Sequence, residues 1–225
     1  MPEKRTNNLV IQTGAILFDM DGVLVDSRAA IERVRRRWAA RRGLDEDTVV
    51  RLPHGQKTRD IVAMVAPHLD VAEEVAWLDA DEERDLEGID SIRGAAHLLG
   101  DLAPGEWAVV TSSGHDLATR RLTAARLPLP LTLIAGEMVT QGKPAPEGYL
   151  LAAKRLGKRP DDCIVVEDAP AGIEAGRAAG MRVIGVATTY PRSRLAGCAA
   201  IVTDLSEIDV RRDGPDIILV LPPHG

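Results

Sequence analysis

Two carboxylates stand two residues apart where an apolar run ends. Asp19 and Asp21 follow the run 15–18, and Gly22 comes next. A carboxylate pair at the end of a buried strand can supply a nucleophile, a proton-transfer group and oxygen ligands for a divalent cation. Because Asp and Gly are also common in turns, the same segment is open to interpretation as a strand-to-loop turn. The pair alone does not decide between catalysis and a structural turn.

Polar side chains follow three further apolar runs. They are Thr111, Ser112 and Ser113 after 107–110, Lys143 after 131–135, and Glu167 and Asp168 after 163–166. In an open parallel sheet, ligands bind where the carboxyl ends of neighbouring strands meet. If these strands are neighbours, carboxylates from two strand ends form a cation site, while a hydroxyl, backbone amides and an ammonium group face a phosphate. Phosphoryl transfer needs these groups, because positioning and charge neutralisation stabilise its transition state.

The elements that must position these residues alternate between strands and helices. Runs of strand length lie at 14–19, 107–110, 131–135, 163–166, 182–187 and 200–202, with helical segments between them from residue 95 onward. This pattern is typical of an α/β domain with a Rossmann-like, mostly parallel sheet and right-handed crossovers. A last strand, 217–221, is predicted at an edge of the sheet.

A helical block interrupts this pattern after the first strand. Ile31, Val34 and Trp38 recur at helical spacing, and two further amphipathic segments follow. We therefore expect an α/β core formed by residues 1–27 and 92–225, with residues 28–91 inserted as a helical cap. The arginines of the first cap helix are interpreted as a solvated face, because acidic residues and the overall charge oppose a polyanion site. They are Arg33, Arg35, Arg36, Arg37, Arg41 and Arg42.

The loop 53–60 between the cap helices combines a glycine with three potential cations. Gly55 lies among His54, Lys57 and Arg59. Two interpretations are weighed equally: a capped helix start with Thr58 as the N-cap, and contact with a substrate.

Composition excludes several classes of function. The 225 residues are 45% hydrophobic and 28% charged with a net charge of −6, so binding to nucleic acid or to an anionic membrane is not expected. Two cysteines, Cys163 and Cys198, predict free thiols in a reducing compartment. No apolar run approaches the ~20 residues that span a bilayer, and the polar N-terminal segment has no signal-peptide core. We expect a soluble, cytoplasmic monomer.

The motif residues resemble those of the haloacid dehalogenase (HAD) superfamily of aspartate-nucleophile phosphotransferases. The segment 19–23 is similar to the first motif, Thr111 to the second, Lys143 to the third and Glu167-Asp168 to the fourth, and the resemblance covers essentially the whole chain. Within the superfamily the chain most resembles the small sugar-phosphate and polyol-phosphate phosphatases. That closer resemblance lies in the segments 53–58, 142–150 and 166–173.

The resemblance implies a role for each motif residue. Asp19 would attack phosphorus and form an aspartyl-phosphate, while Asp21 would protonate the leaving alkoxide and then deprotonate the hydrolytic water. Mg²⁺ would bind the Asp19 carboxylate, the Asp21 backbone carbonyl and Asp168, with Glu167 in or next to its shell. The phosphoryl oxygens and the substrate would be held by Thr111, Lys143, Gly22, Ser112 and Ser113. In the cap, the candidates for contact with a phosphorylated sugar or polyol are His54, Gly55, Lys57 and Arg59.

Three other functions are weighed beside the phosphatase. β-Phosphoglucomutase shares the cap, the fold and all four motifs, but its cap carries an arginine three residues after a loop glycine. Counted from Gly55, that position is Thr58, and Arg59 lies one residue further, which disfavours the mutase. A catalytically silent binding protein is disfavoured because every motif residue is present, and dehalogenation because dehalogenases lack the acid/base aspartate at Asp21.

Overall fold

The computed structural model describes residues 8–214 and 216–223. Its strands are β1 Leu9–Thr13, β2 Ala15–Phe18, β3 Val25–Asp26, β4 Asp90–Ser91, β5 Trp107–Val110, β6 Leu133–Ile134, β7 Cys163–Glu167, β8 Arg182–Val186, β9 Ala200–Val202, β10 Asp209–Asp213 and β11 Asp216–Leu221. Its α-helices are α1 Arg28–Arg42, α2 Glu46–Val50, α3 Thr58–Val65, α4 Val71–Arg84, α5 Ala95–Gly100, α6 His115–Ala124, α7 Glu147–Arg155 and α8 Pro170–Ala178.

A six-stranded parallel sheet forms the centre of the molecule. Its strand order is β6-β5-β2-β7-β8-β9. Every residue of β2, β5 and β7 is buried, because helices cover both faces of these strands, and this explains their uninterrupted apolar sequences. The predicted mostly parallel α/β fold is confirmed.

The order of strands reverses at β2. From β2 the chain passes to β5 and β6 on one side and then returns to β7 on the other side. Such a reversal opens a crevice beyond the carboxyl ends of the central strands. The residues that follow β2, β5 and β7 are therefore brought together.

Side chains of the central strands alternate between two hydrophobic layers. Phe18 of β2 packs in one layer with Leu122 of α6, whereas Leu17 packs in the other with Tyr149 of α7 and Ile173 of α8. Both layers hold the strands rigidly, so that the residues at their ends have a fixed support.

A second, antiparallel sheet corrects the prediction for the end of the chain. Strand β11 does not lie at an edge of the parallel sheet; it lies between β1 and β10 in a three-stranded sheet of its own. Strand β1 occupies a segment expected to be merely polar. Its five residues alternate, with Ile11 and Thr13 buried and Val10 and Gln12 exposed, and their partner strand is distant in sequence.

Helices α1 to α4 enclose a hydrophobic cluster that is separate from the two layers of the sheet. Val34 and Trp38 of α1 pack there with Val49 of α2, Val62 of α3 and Leu78 of α4. The chain enters and leaves this block through β3 and β4, which pair with each other. The division into a core and a cap at residues 28–91 stays a prediction, and residues 1–7, 215, 224 and 225 of the predicted core lie outside the described residues.

The prediction of a solvated arginine face on α1 is correct only in part: Arg36, Arg37 and Arg41 are exposed, whereas Arg35 is buried and Arg33 and Arg42 are half-buried. Arg33 and Arg37 both form ion pairs with Asp85, and Arg42 pairs with the buried Glu74 of α4. The acidic face of α4 therefore packs against α1, a contact that the pattern of either helix alone does not reveal.

Arg35 departs furthest from the predicted solvated face, since it is 8% exposed. Its guanidinium donates to the carbonyl oxygens of Leu52, Pro53 and Val50 at 2.8, 3.1 and 3.3 Å. Arg35 thereby fixes the start of the loop 53–60.

The structure also tests two smaller predictions, one for Thr58 and one for the cysteines. Thr58 is not an N-cap, because Lys57 occupies that position and Thr58 is the first residue of α3. Cys163 and Cys198 are free thiols, as expected. Among the described residues, no helix has both the length and the apolar character needed to cross a membrane.

Candidate active site

Three buried carboxylates meet at the carboxyl ends of β2 and β7. Asp19 directly follows β2, and its backbone N–H donates to the carbonyl of Val166 in β7 at 3.0 Å. Ligand oxygens of Asp19, Glu167 and Asp168 all lie within 4.8 Å of one another. The pairing of β2 with β7 thus converts two separate sequence motifs into one acidic cluster.

The ammonium group of Lys143 lies between two of these carboxylates. Its Nζ is 2.5 Å from Asp19 Oδ1 and 2.6 Å from Glu167 Oε1. Burial alone would lower the pKa of Lys143, but the charges of Asp19 and Glu167 outweigh it and hold that pKa above its ordinary value. Burial raises the pKa of Asp19 to about 7, with Lys143 opposing the rise. Lys143 is therefore a permanent positive charge against Asp19.

One carboxylate oxygen of the cluster, Asp168 Oδ2, is buried and has no hydrogen-bond partner among the described residues. Burial, followed by the charges of Glu167 and Asp19, raises the pKa of Asp168 well above its ordinary value. Three carboxylates and one ammonium leave excess negative charge in a buried place, which is costly unless a cation offsets it. Oxygen donors of this kind fit Mg²⁺.

Glu167 is already saturated by donors. Its Oε1 lies 2.8 Å from the Tyr149 hydroxyl and near Lys143, while its Oε2 accepts from the backbone N–H groups of Asp168 and Ala169. A Cβ at Gly172 would lie 1.6 Å from Glu167 Oε1, so only glycine fits at that position of α8. Glu167 therefore anchors the loop that presents Asp168.

Gly22 is a second glycine whose backbone lies very close to a carboxylate of the cluster. Its φ is +83°, and a Cβ there would lie 2.0 Å from Asp168 Oδ2. Any other residue would fill the space beside the unpartnered oxygen. The glycine of the first motif thus keeps that space open.

Three donors hold the Asp21 carboxylate. Ser27 Oγ and Arg121 Nη1 lie 2.6 and 3.0 Å from Oδ1, and Ser113 Oγ lies 3.2 Å from Oδ2. The side chain is partly exposed to the cavity described below. Asp21 is thus fixed in orientation yet accessible to a bound molecule.

Arg121 joins Asp21 to the helical block. It is 1% exposed, and its Nη2 lies 2.9 Å from Glu82 Oε2 on α4. Burial opposes the charge of Arg121, but Asp21 and Glu82 outweigh that effect and raise its pKa. Sequence reasoning missed this residue, although an arginine on the apolar stripe of Leu117 and Leu122 was a usable signal.

A cavity lies between the strand ends and the helical block. From the strand ends it is lined by Asp19, Asp21, Gly22, Thr111, Ser112 and Ser113, and from the helical block by polar residues that include Arg35, His54, Gly55, Gln56, Thr58, Asp79 and Glu82. Ser112 Oγ donates to the Gly55 carbonyl at 2.8 Å, which joins the loop 53–60 to the segment that follows β5. The arrangement can hold a phosphate at the strand ends and the rest of a substrate against α1 and α4.

The predicted cap contacts divide into two groups. His54 and Gly55 line the cavity. Burial, followed by the charge of Arg35, lowers the pKa of His54 to about 4, so this side chain is neutral near pH 7. Lys57 instead donates from Nζ to the Val139 carbonyl at 2.7 Å, and Arg59 is exposed on the first turn of α3. The structure does not bring these two cations to the cavity.

Comparison with known proteins identifies the family. Residues 16–186, which include all four motif segments, match the model of the haloacid dehalogenase-like hydrolase family. The chain belongs to this family. The resemblance inferred from the motif residues is confirmed.

Relatives in this family align over nearly the whole chain. Hexitol phosphatase A of Escherichia coli K12 is 40% identical over 90% of this chain and 97% of its own length. Glycerol-1-phosphate phosphohydrolase 1 of Saccharomyces cerevisiae is 34% identical over 91% of this chain and 88% of its own. A HAD-family hydrolase from Deinococcus radiodurans, solved with bound phosphate and sodium, is 31% identical and superposes with a TM-score of 0.64, covering 87% of this chain and 93% of its own.

Replacing Arg121 with Met should impair both stability and turnover in this HAD-family chain. The change leaves Asp21 and Glu82 without their shared cation, and breaking a buried pair in this way typically costs about 3–5 kcal/mol. We expect a lower midpoint of urea unfolding. If Asp21 transfers protons, as the family resemblance implies, kcat for phosphate release should also fall more than KM changes, because Asp21 loses its orientation.

Arg120→Met supplies the matched control on the same helix, since Arg120 is exposed. That variant should unfold and turn over like the wild type. Equal behaviour of the two variants would contradict a positioning role for Arg121.

Proposed function

We propose that the protein is a Mg²⁺-dependent phosphatase that hydrolyses a small phosphorylated sugar or polyol through an aspartyl-phosphate on Asp19. The observation that carries this proposal is the place of Asp19: it touches Lys143, shares the acidic cluster with Asp168 and lines the cavity. The relatives, which are phosphatases of hexitol and glycerol phosphates by name, support the same substrate class.

In the first half-reaction the Asp19 carboxylate attacks phosphorus. A bond forms between the carboxylate oxygen and phosphorus, and the bond from phosphorus to the ester oxygen breaks. Lys143 reduces repulsion between Asp19 and the dianionic ester, and with Thr111 and the backbone amide of Ser112 it would hold the phosphoryl oxygens. Asp21 gives its proton to the leaving alkoxide.

In the second half-reaction Asp21 acts in the opposite direction. It takes a proton from water, the water oxygen bonds to phosphorus, and the bond to Asp19 breaks to release phosphate and restore the carboxylate. The contacts from Ser27, Ser113 and Arg121 support this role, because they fix the orientation of the carboxylate toward the cavity.

Mg²⁺ would be held by the Asp19 and Asp168 carboxylates and the Asp21 backbone carbonyl. When bound, it would neutralise charge on the phosphoryl oxygens. The four donors that already occupy Glu167 favour a place for that residue beside the ion rather than in contact with it.

Residues 28–91 would act as the cap that shields the reaction from bulk water. The bond from Ser112 to Gly55 supports a closed arrangement, with His54 and Gly55 against the substrate. Contact of Lys57 or Arg59 with substrate stays a prediction, because neither side chain lines the cavity.

Phosphate release from a panel of hexitol phosphates, glycerol 1-phosphate and 2-deoxyglucose 6-phosphate tests the proposed function. We expect turnover with Mg²⁺ and none after chelation, with full recovery when Mg²⁺ is restored. In Asp168→Asn, the Mg²⁺ concentration for half-maximal rate should rise by at least about tenfold.

Two results would contradict the proposal. One is the absence of turnover by folded, Mg²⁺-supplied protein on the whole panel. The other is conversion of β-glucose 1-phosphate to glucose 6-phosphate without net phosphate release, which would select the mutase.

A further inference from the structure

Helix α4 presents two acidic side chains to the cavity. Asp79 and Glu82 stand three residues apart, so they lie on one face of the helix, and both line the cavity wall. Glu82 is compensated by Arg121 at 2.9 Å. Asp79 is not: within residues 8–214 and 216–223, no basic side chain forms an ion pair with it, and the neighbouring charges that act most strongly on its pKa are the acidic Glu82 and Glu83.

Asp79 lies in a locally acidic part of the cavity wall. Arg28 and Arg35 also line the cavity and are positively charged, but among the described residues neither forms an ion pair with Asp79, and the two Nη atoms of Arg35 donate to three backbone carbonyls. His54 is neutral near pH 7. Burial, followed by the charges of Glu82 and Glu83, raises the pKa of Asp79 to about 6, which still leaves it mostly ionised above pH 7. A partly buried carboxylate of this kind is favoured by hydrogen-bond donors and disfavoured by a second anion.

We propose that Asp79 accepts hydrogen bonds from substrate hydroxyl groups and selects phosphate esters with an uncharged polyhydroxyl chain over esters that carry a second negative charge. This inference rests on the proposed phosphatase function and deepens it. A sugar alcohol or polyol brings further hydroxyl donors to this carboxylate. A carboxylate or a second phosphate would face it across the same cavity.

A structural alternative gives Asp79 a different task. The Thr58 hydroxyl donates to the Asp79 carboxylate, and this bond ties the start of α3 to α4. Asp79→Asn separates the two roles, because the amide oxygen still accepts from Thr58 while the charge is removed. If Asp79 only joined α3 to α4, Asp79→Asn would leave the substrate preference unchanged.

The experiment compares esters that differ only in a terminal group. Sorbitol 6-phosphate is paired with 6-phosphogluconate, and glycerol 1-phosphate with 3-phosphoglycerate; each pair exchanges a hydroxymethyl group for a carboxylate. In the wild type, kcat/KM should favour the uncharged ester by at least about tenfold. In Asp79→Asn, this preference should shrink by at least about fivefold, mainly through KM, since a hydrogen bond to a charged acceptor is replaced by one to a neutral acceptor.

Glu83→Gln is the matched control. It removes one charge from the neighbouring turn of α4, but Glu83 does not line the cavity. Its preference should equal that of the wild type, which separates local selection from a general change in net charge.

Each outcome bears on a defined claim. Turnover with no wild-type preference for the uncharged ester overturns the inference while the phosphatase function stands, and this comparison needs no variant. An Asp79→Asn ratio within twofold of the wild type, or an equal shift in Glu83→Gln, also overturns it. No turnover of either pair or of p-nitrophenyl phosphate overturns the proposed function, and the inference with it.

Discussion

Asp19→Asn should lower kcat for phosphate release by at least about 10³-fold, because an amide cannot act as the nucleophile that forms the acyl-phosphate. The substitution preserves shape, and Lys143 keeps its contact with Glu167 at 2.6 Å, so the fold should persist. Steady-state phosphate release at saturating ester and Mg²⁺ measures the effect, with circular dichroism as the check on folding.

Asp26→Asn is the control for this prediction. Asp26 ends β3 close in sequence to the site but does not line the cavity, and its variant should retain a rate close to that of the wild type. A folded Asp19→Asn protein with comparable turnover would remove Asp19 from the reaction and leave Lys143 and Asp168 without their proposed purpose.

Asp21→Asn should lower kcat by about 10²–10⁴-fold with sugar-alcohol esters, the usual size of general acid–base assistance. The loss in formation of the phospho-enzyme should be much smaller with p-nitrophenyl phosphate, because its leaving group departs without a proton. Rapid mixing separates the two steps: a burst of p-nitrophenol should precede slow phosphate release, since the variant cannot activate water.

Proton transfer by Asp21 makes a comparison between leaving groups decisive. Activity within about tenfold of the wild type on a sugar-alcohol ester would refute this role, as would equal losses on both esters in the step that forms the phospho-enzyme. Bound Mg²⁺ should be retained in either case, because the proposed ligand from Asp21 is its backbone carbonyl.

The central sheet and its strand ends were predictable from sequence for a physical reason. Strands covered on both faces have uninterrupted apolar sequences, and the polar residue that ends each run falls at the carboxyl edge of the sheet. The sequence therefore predicts that Asp19, Thr111 and Asp168 lie together if their strands are neighbours. The family resemblance added their proposed tasks, which spacing alone did not supply.

The features that sequence reasoning missed depend on contacts between distant segments. Arg35 and Arg121 are polar by type, yet each is buried because carbonyl oxygens or carboxylates from other elements meet its guanidinium. Strands β1 and β11 pair across nearly the whole chain, so neither has a local signal of its partner.

The loop 53–60 shows the same limit at the level of single side chains. His54, Lys57 and Arg59 are all potential cations, so their residue types do not distinguish them. Only the structure shows that His54 lines the cavity and that Arg59 is exposed. Because α3 begins at Thr58, successive side chains from that residue onward point in different directions around the helix axis. The composition of the loop does not specify where the helix begins.

Trapping of the phospho-enzyme tests the central claim most directly. Asp21→Asn is mixed with p-nitrophenyl phosphate and Mg²⁺, quenched in acid within the burst, and digested for mass spectrometry. A single phosphoryl group on Asp19, absent from the Asp19→Asn/Asp21→Asn double variant, is the predicted result. A burst with the phosphoryl group on another residue, or wild-type turnover that survives in Asp19→Asn, would contradict the account.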